Sequence, residues 1–298
     1  MFTLAHLSDL HMASRPGLAQ LAGKRGLGLI NWHRKRKAIH RPEVLEAITR
    51  DLKASRFDHI AVTGDLVNFS LPEEYRRARA WLETLGSTRD VTVVPGNHDV
   101  YVRGVEQCAA AFWGDYMTGD DGLQRFPFLR RRGDVALIAL SSGLPTGPFM
   151  ATGRLGARQL SRFAELLDQT NGLFRIILIH HPPLSPFRRH LRRLVDGAEL
   201  RRVLAAKGAE LLLHGHDHRR AVVWLNGPRG KIPAVGVPSA SALTRHGEED
   251  EAGYNIFRIE DTTANGAKNG APIWHCEMIT RHRNVDGTVR DAERRMLF

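Results

Sequence analysis

The sequence predicts an α/β fold. Through the first two-thirds of the chain, short β-branched apolar runs alternate with longer stretches of helical periodicity, the pattern of a sheet covered by helices. Several of those runs end on Asp, Asn or His, and after His218 the texture changes to strands and turns. In sheets of this class the crevice outside the carboxyl ends of the strands is where ligands bind, so the polar run-ends are also the first functional signal.

Strands are expected at residues 3–7, 59–63, 91–94, 135–140, 175–179 and 210–213, each an apolar run bounded by polar or turn residues. Helices fall between them at 42–54, after Ser70, at 155–169 and at 198–207. The helix after Ser70 opens with S-L-P-E, in which Ser70 and Glu73 have capping-box spacing and Pro72 occupies the first turn, where a missing N–H is harmless. Tyr75, Ala78, Leu82 and Leu85 then share one face, as a helix lying on a sheet requires. Beyond His218, strands are expected at 221–225, 232–237, 254–259 and 273–280, with a GPRG turn between the first two, completing the same core. Residues 284–298 are polar and aperiodic and are expected to form a tail or a short peripheral segment after a single domain at 1–283.

Composition narrows the function classes. A chain of 298 residues that is 42% hydrophobic can bury a substantial core. Its two cysteines, Cys108 and Cys276, form no C-x-x-C pair, which argues against a disulfide framework and against a thiolate zinc site. The start, MFTLAHLSDLH, lacks the basic-then-apolar layout of a secretory signal, and no run approaches the ~18 apolar residues of a membrane span. A cytoplasmic location is therefore the expectation. The formal net charge of +11 favours anionic partners: phosphorylated metabolites, nucleic acid or a lipid surface. No G-x-S-x-G elbow is present, and residues 17–25 miss the P-loop in spacing and in the final Ser or Thr.

The chemistry sits where apolar runs stop. The first run leads to Asp9 and His11, the second to Asp65, and the third to Asn97, His98 and Asp99. The fifth leads to His180 and His181, and the sixth to H-G-H-D-H with His216 and His218. Each fragment alone is an ordinary loop; five in succession at strand ends are not. Imidazole with carboxylate and amide oxygen suits divalent manganese, iron or zinc, or a mixed pair, better than calcium, which takes oxygen ligands alone. The D-x-H and H-x-H spacings place both side chains on one side of an extended segment, so one loop supplies two ligands. His6 reads as a hydrogen-bonded core residue and His214 as a neighbour of the site, while His33, His40, His190, His246, His275 and His282 read as surface histidines.

The ordered set D-x-H, G-D, G-N-H-D, H-H-P-P, G-H-x-H, spanning residues 9–218, resembles the calcineurin-like metallophosphoesterase superfamily. The resemblance implies a four-layer α/β/β/α sandwich holding two metal ions. By position, Asp9, His11 and His218 would hold one, Asn97, His180 and His216 the other, and Asp65 would bridge them. It makes His180 rather than His181 the ligand. His98 would contact phosphate or protonate the leaving group, with Asp99 as its orienting partner.

The implied activity is hydrolysis of a phosphoester, and the style of the motifs resembles class III cyclic-nucleotide phosphodiesterases and glycerophosphodiesterases. Residues 12–42 contain eight basic residues, no acidic one, and interleaved Leu, Ile and Trp. That composition suits an anionic membrane surface or a lipid-linked substrate such as UDP-diacylglucosamine or a phospholipid, with the chain peripheral to the inner membrane. It equally suits a packed flap whose basic groups face water. A second basic stretch at 187–193 either lines the mouth of the site or is solvated. No nucleic-acid-binding module is recognisable, oligomeric state is open, and a noncatalytic scaffold is the alternative of another class.

Overall fold

The structure, a computed structural model, describes residues 1–12, 14, 39–102, 104, 106–147, 149–185, 190–244, 249–263 and 273–298. Most of the basic stretch 12–42 and residues 187–189 of the second one lie outside the described residues.

Two six-stranded mixed sheets make the centre of the molecule. The first has the order β12-β11-β10-β1-β2-β3 and the second β4-β5-β6-β7-β9-β8. Their strands are β1 (Phe2–Leu7), β2 (His59–Val62), β3 (Val91–Val93), β4 (Phe128–Arg132), β5 (Val135–Ala139), β6 (Phe174–Leu178), β7 (Leu211–His214), β8 (Ala221–Gly227), β9 (Gly230–Gly236), β10 (Gly253–Asp261), β11 (Trp274–Arg283) and β12 (Val289–Met296). Among the described residues the α-helices are α1 (Pro42–Ala54), α2 (Pro72–Leu85), α3 (Glu106–Trp113), α4 (Ala157–Gln169) and α5 (Gly197–Lys207). β1, β2 and β3 run parallel, as do β5, β6, β7 and β9, so two sets of carboxyl ends point towards one edge of the sandwich.

Strand alternation assigns the layers. Leu137, Ala139, Ile176, Leu178, Leu211 and Leu213 share a core with Leu4, Ala5 and Leu7 of the first sheet. Their sequence neighbours Ile138, Ile177 and Leu212 pack instead with Phe163 and Leu167 of α4 and Leu200 and Leu204 of α5. Val44, Ile48 and Leu52 of α1 and Tyr75, Ala78 and Leu82 of α2 cover the first sheet. The expected α/β/β/α sandwich is therefore the architecture. Runs buried on both faces are why these strands read as continuous apolar stretches and not as alternating ones.

Three expectations are corrected. Residues 284–298 are not a tail: β12 pairs antiparallel with β11, and Leu297 N–H donates to the Cys276 carbonyl at 2.8 Å. As an edge strand with almost all its side chains in solvent, β12 shows no apolar alternation. α2 starts one residue later than its predicted cap. Its N-cap is Leu71, and Glu74 accepts the N–H groups of Phe69 (2.8 Å) and Leu71 (3.2 Å). Ser70 is drawn off elsewhere, its hydroxyl donating to the His98 carbonyl at 2.7 Å and accepting from the Tyr101 N–H at 3.0 Å. Finally, β4 and α3 have no counterpart in the sequence reading. β4 hides because Arg130 is an inward-facing position, its buried guanidinium donating to the carbonyls of Thr88, Val91, Asp115 and Thr118.

Candidate metal centre

All the predicted strand-end residues arrive at one edge of the sandwich, and every one of them is buried. The local backbone explains how. Asp9, His11, Asp65, His216 and His218 have φ of 57°, 48°, 54°, 70° and 53°, in the left-handed region that L-residues seldom occupy. Such conformations cost of order 1–3 kcal/mol each and persist only where surrounding structure enforces them, which is typical of functional sites. This corrects the expectation of extended D-x-H and H-x-H segments. The paired side chains reach the same side through successive left-handed kinks as the chain leaves the sheet. The kinks are pinned by Asp9 N–H donating to the Gly64 carbonyl (2.9 Å) and His11 N–H to the Asp65 carbonyl (3.0 Å). Close packing does the rest: a Cβ at Gly215 would collide with the Ser8 hydroxyl and the Asp9 carboxylate.

Two groups of side chains face each other. In one, His218 Nε2 stands 3.0 Å from His11 Nε2 and 3.0 Å from Asp9 Oδ1, with His11 Nε2 3.7 Å from the same oxygen. In the other, His180 Nε2 stands 3.3 Å from Asn97 Oδ1 and 3.2 Å from His216 Nδ1. Asp65 lies between them. Its Oδ2 is 3.4 Å from His180 Nε2, and it clusters with Asp9 and His180 on one side and with His11 and His98 on the other.

Ring orientation is set from behind. His180 Nδ1 donates to the Thr63 carbonyl (2.7 Å), His216 Nε2 to the Arg192 carbonyl (2.8 Å), and His218 Nδ1 to Glu249 Oε2 (3.0 Å). Each bond fixes one nitrogen and aims the other at the cluster, the arrangement found around metal-binding histidines. His181 is different. Its Nδ1 pairs with the Ser142 hydroxyl (2.8 Å) and its Nε2 donates to the Ala151 carbonyl (3.1 Å), so both nitrogens are used although its ring centroid is 4.3 Å from that of His216.

Electrostatics divide the rings differently, raising His218 and His180 and lowering His181 and His216. Burial alone would lower the pKa of His218, but Asp9 and Glu249 outweigh it and hold the ring up at about 9. For His180 burial is likewise overcome by Asp65, again giving about 9. Burial, aided by the neighbouring His180, pushes His181 down to about 3 because Asp65 opposes it too weakly, and His216 falls well below its usual range by burial and by the neighbouring rings. A buried pocket that raises two imidazoles is one that calls for positive charge. Carboxylate, amide and imidazole donors converging there fit divalent cations.

His98 lies over this centre, its ring centroid 4.9 Å from that of His11 and stacked on Tyr101 at 5.2 Å. The Asp99 expectation is corrected. The Asp99 carboxylate accepts the N–H groups of Asp65 (2.8 Å), Leu66 (2.9 Å), Val67 (3.2 Å) and Gly96 (2.8 Å), and so builds the loop that carries Asp65. The His98 ring is oriented by the Asn68 carbonyl instead, which accepts from Nδ1 at 2.7 Å. A carboxylate beside a histidine in sequence looked like its partner, yet side chains of adjacent residues in this turn point apart.

His40 is a further correction. Read as a surface histidine, it stands with its ring centroid 4.5 Å from His11 and 5.6 Å from His218. The pairing of residues 39–41 with 241–243 carries it there, through Leu243 N–H to the Ile39 carbonyl (2.8 Å) and Arg41 N–H to the Ser241 carbonyl (2.9 Å). Nothing local in R-K-A-I-H-R-P marks that placement. His6, in contrast, is the expected core residue, bonded to the Thr63 hydroxyl at 2.9 Å.

A family model described as calcineurin-like phosphoesterase matches residues 2–220. The chain belongs to this family. As a calcineurin-like phosphoesterase it is a metal-dependent phosphoric ester hydrolase with a divalent metal centre. It is 27% identical over 262 residues, 87% of this chain and 88% of the other, to a probable cyclic nucleotide phosphodiesterase of Synechococcus. Among solved structures, a dimetal phosphatase from Danio rerio superposes with a TM-score of 0.58 at 14% identity, covering 99% of this chain and 98% of that one. A purple acid phosphatase from yellow lupin gives 0.58 at 13%, covering 97% of this phosphoesterase but only 52% of the lupin chain. At those identities the likeness is one of fold. Among the described residues no helix is long and apolar enough to cross a membrane.

Proposed function

We propose that this phosphoesterase hydrolyses a small phosphodiester at a two-metal centre. Asp9, His11 and His218 would hold one cation, Asn97, His180 and His216 the other, and Asp65 both; manganese, iron and zinc all suit the donors. The observation that carries the reading is the convergence of these residues from five strand ends into two facing, buried groups with Asp65 between them. The preference for a diester draws support from the similarity to the Synechococcus protein.

When bound, a pair of divalent cations makes a nucleophile from water at neutral pH and neutralises charge on the phosphoryl oxygens. The chain's own groups do the rest. Asp65, held ionised by His180 and His98 against the cost of burial, supplies the shared negative charge. Asp99 and the backbone of residues 65–67 keep that carboxylate in place. With Nδ1–H donating to the Asn68 carbonyl, His98 would act as an imidazolium whose Nε2–H meets a phosphoryl oxygen or passes its proton to the departing alkoxide, the hard group to expel from a phosphate ester.

The test is manganese-supported hydrolysis of bis(p-nitrophenyl) phosphate beside p-nitrophenyl phosphate, with Asp65→Ala as control. Faster diester turnover that vanishes in the variant supports the reading; a preference for the monoester overturns it. A second reading, a lipid-linked substrate at a membrane surface, draws on a different observation. Exposed Phe149, Met150, Leu191 and Val195 crowd the segments that are bonded together beside His216, through Ala151 N–H to the Leu191 carbonyl (2.8 Å). Flotation with vesicles containing anionic lipid at physiological salt decides it, and absence of binding rejects it.

A further inference from the structure

We propose that His40 is a further substrate-contacting residue, its Nε2–H binding a phosphoryl oxygen on the Asp9, His11 and His218 side of the centre. Ser239 Oγ lies 2.6 Å from the Asp9 carbonyl, an acceptor only, so its single proton is spent there. Ser241 Oγ is 2.9 Å from His40 Nδ1 and 3.3 Å from Ser239 Oγ, so its proton goes to the nearer and better acceptor, the imidazole nitrogen. A neutral imidazole that accepts at Nδ1 carries its proton at Nε2. In that arrangement His40 is a donor at Nε2 and a partner for an anionic oxygen, whereas Nδ1–H donating to Ser241 would instead make it a third imidazole acceptor beside His11 and His218, which the metal content of the His40 variants separates.

Placement agrees. His40, His11 and His218 bring ring nitrogens within 4.8 Å of one another, and His40 lines, with His11 and Ser241, a cavity of about 830 Å³ that runs along α1 past Trp81. His40 thus stands where the centre opens into unfilled space. Arg41, Arg50, Lys53 and Arg77 line that cavity against Glu43 and Glu46, so cations are in excess there even though Arg41, Arg50 and Arg77 pair with Glu43, Glu46 and Glu73. The backbone pairing of residues 39–41 with 241–243 and the hydroxyls of Ser239 and Ser241 hold the ring from the protein side.

The experiment measures binding of inorganic phosphate to the manganese-loaded protein by calorimetry, together with metal content and kcat and KM, for His40→Ala, His40→Gln and Ser241→Ala. Phosphate binding does not depend on the protein preferring diesters, so failure here and failure of the diester reading are separable. Expected for His40→Ala are unchanged metal content, phosphate affinity lower by about 10- to 100-fold, as for loss of a hydrogen bond to a charged group, and a raised KM. His40→Gln, which keeps an N–H donor, should recover part of the loss. Ser241→Ala, which leaves the ring in place but frees its tautomer, should show a smaller loss of the same kind. Unchanged phosphate affinity in the three variants, or loss of a metal ion from His40→Ala, would overturn the assignment.

Discussion

The two flanks of the metal centre are built from similar histidines but opposite backing. Behind the Asp9, His11 and His218 flank stand carboxylates: Asp9 itself, and Glu249 on His218 Nδ1. Behind the Asn97, His180 and His216 flank stand neutral groups, the Asn97 amide and the carbonyls of Thr63 and Arg192. Asp65 groups with ligands of both flanks, and Asp9 also comes within 4.8 Å of the His180 ring nitrogen. The contrast teaches that a ligand's identity is half of a site. The group behind it decides how much negative charge a cation meets, and so how tightly each flank should hold one.

The largest effect is expected where the flanks meet. Asp65→Ala removes the shared charge from both, and hydrolysis should fall by more than about 10³-fold, the scale of losing a principal electrostatic element of an active site. A metal-replete Asp65→Ala protein with normal turnover would remove the basis for treating the two groups as one centre. Next comes a group that belongs to neither flank. His98→Ala should keep its metal content while turnover drops by about 10²- to 10⁴-fold, the usual range for an acid–base group. Loss of metal in that variant would move His98 from substrate contact to metal support.

A smaller effect isolates the asymmetry itself. After chelator treatment, manganese titration should show two unequal steps, the tighter belonging to the carboxylate-backed flank. Glu249→Gln should weaken that step by about 10- to 100-fold and leave the other alone, as losses of such supporting carboxylates do. Two equal steps, or equal weakening of both, would show that the flanks are energetically alike despite their different backing.

What was legible in the sequence follows the same division. Asp9, His11, Asp65, Asn97, His180, His216 and His218 could be found because each directly follows an apolar run, so strand position and chemistry coincide within a few residues. The backing groups could not. His40 arrives through a pairing with Ser241, 201 residues away in sequence, and Glu249 through a loop 31 residues beyond His218, and no local periodicity reports contacts of that kind. Asp99 and Ser70 show the converse. Both sat beside a plausible partner in sequence, and both spend their polar atoms on backbone groups from another turn. The helices α1, α2, α4 and α5 and the inner strands were readable because burial imposes a pattern on them. β12 was not, because an edge strand in solvent is under no such constraint, although D-G at residues 286–287 marked its hairpin turn.

The smallest effect sharpens the comparison by supplying a buried histidine with no acid beside it. His59, at the start of β2, is bonded through Nε2 to the Thr92 hydroxyl at 2.7 Å, and burial, aided by Arg132 and Arg130, pushes its pKa down to about 3. His218 is equally buried and rises to about 9, so the neighbouring carboxylates, and not burial, separate the two. The consequence for stability has a definite sign. Above the unfolded value of about 6.5 neither state of His59 is charged, and the residue contributes no pH dependence. As pH falls from about 6.5 towards 3, the unfolded chain takes up a proton that the folded chain refuses, so stability is lost through that window. At pH 5 the cost is of order 2 kcal/mol. Urea unfolding at pH 7 and pH 5 should therefore show the parent protein losing about 2 kcal/mol more than His59→Gln between the two conditions. The difference between proteins cancels the metal sites, which both retain. Equal losses would mean that the folded protein accommodates a charged His59, and that burial without an acid is less costly here than the contrast with His218 implies.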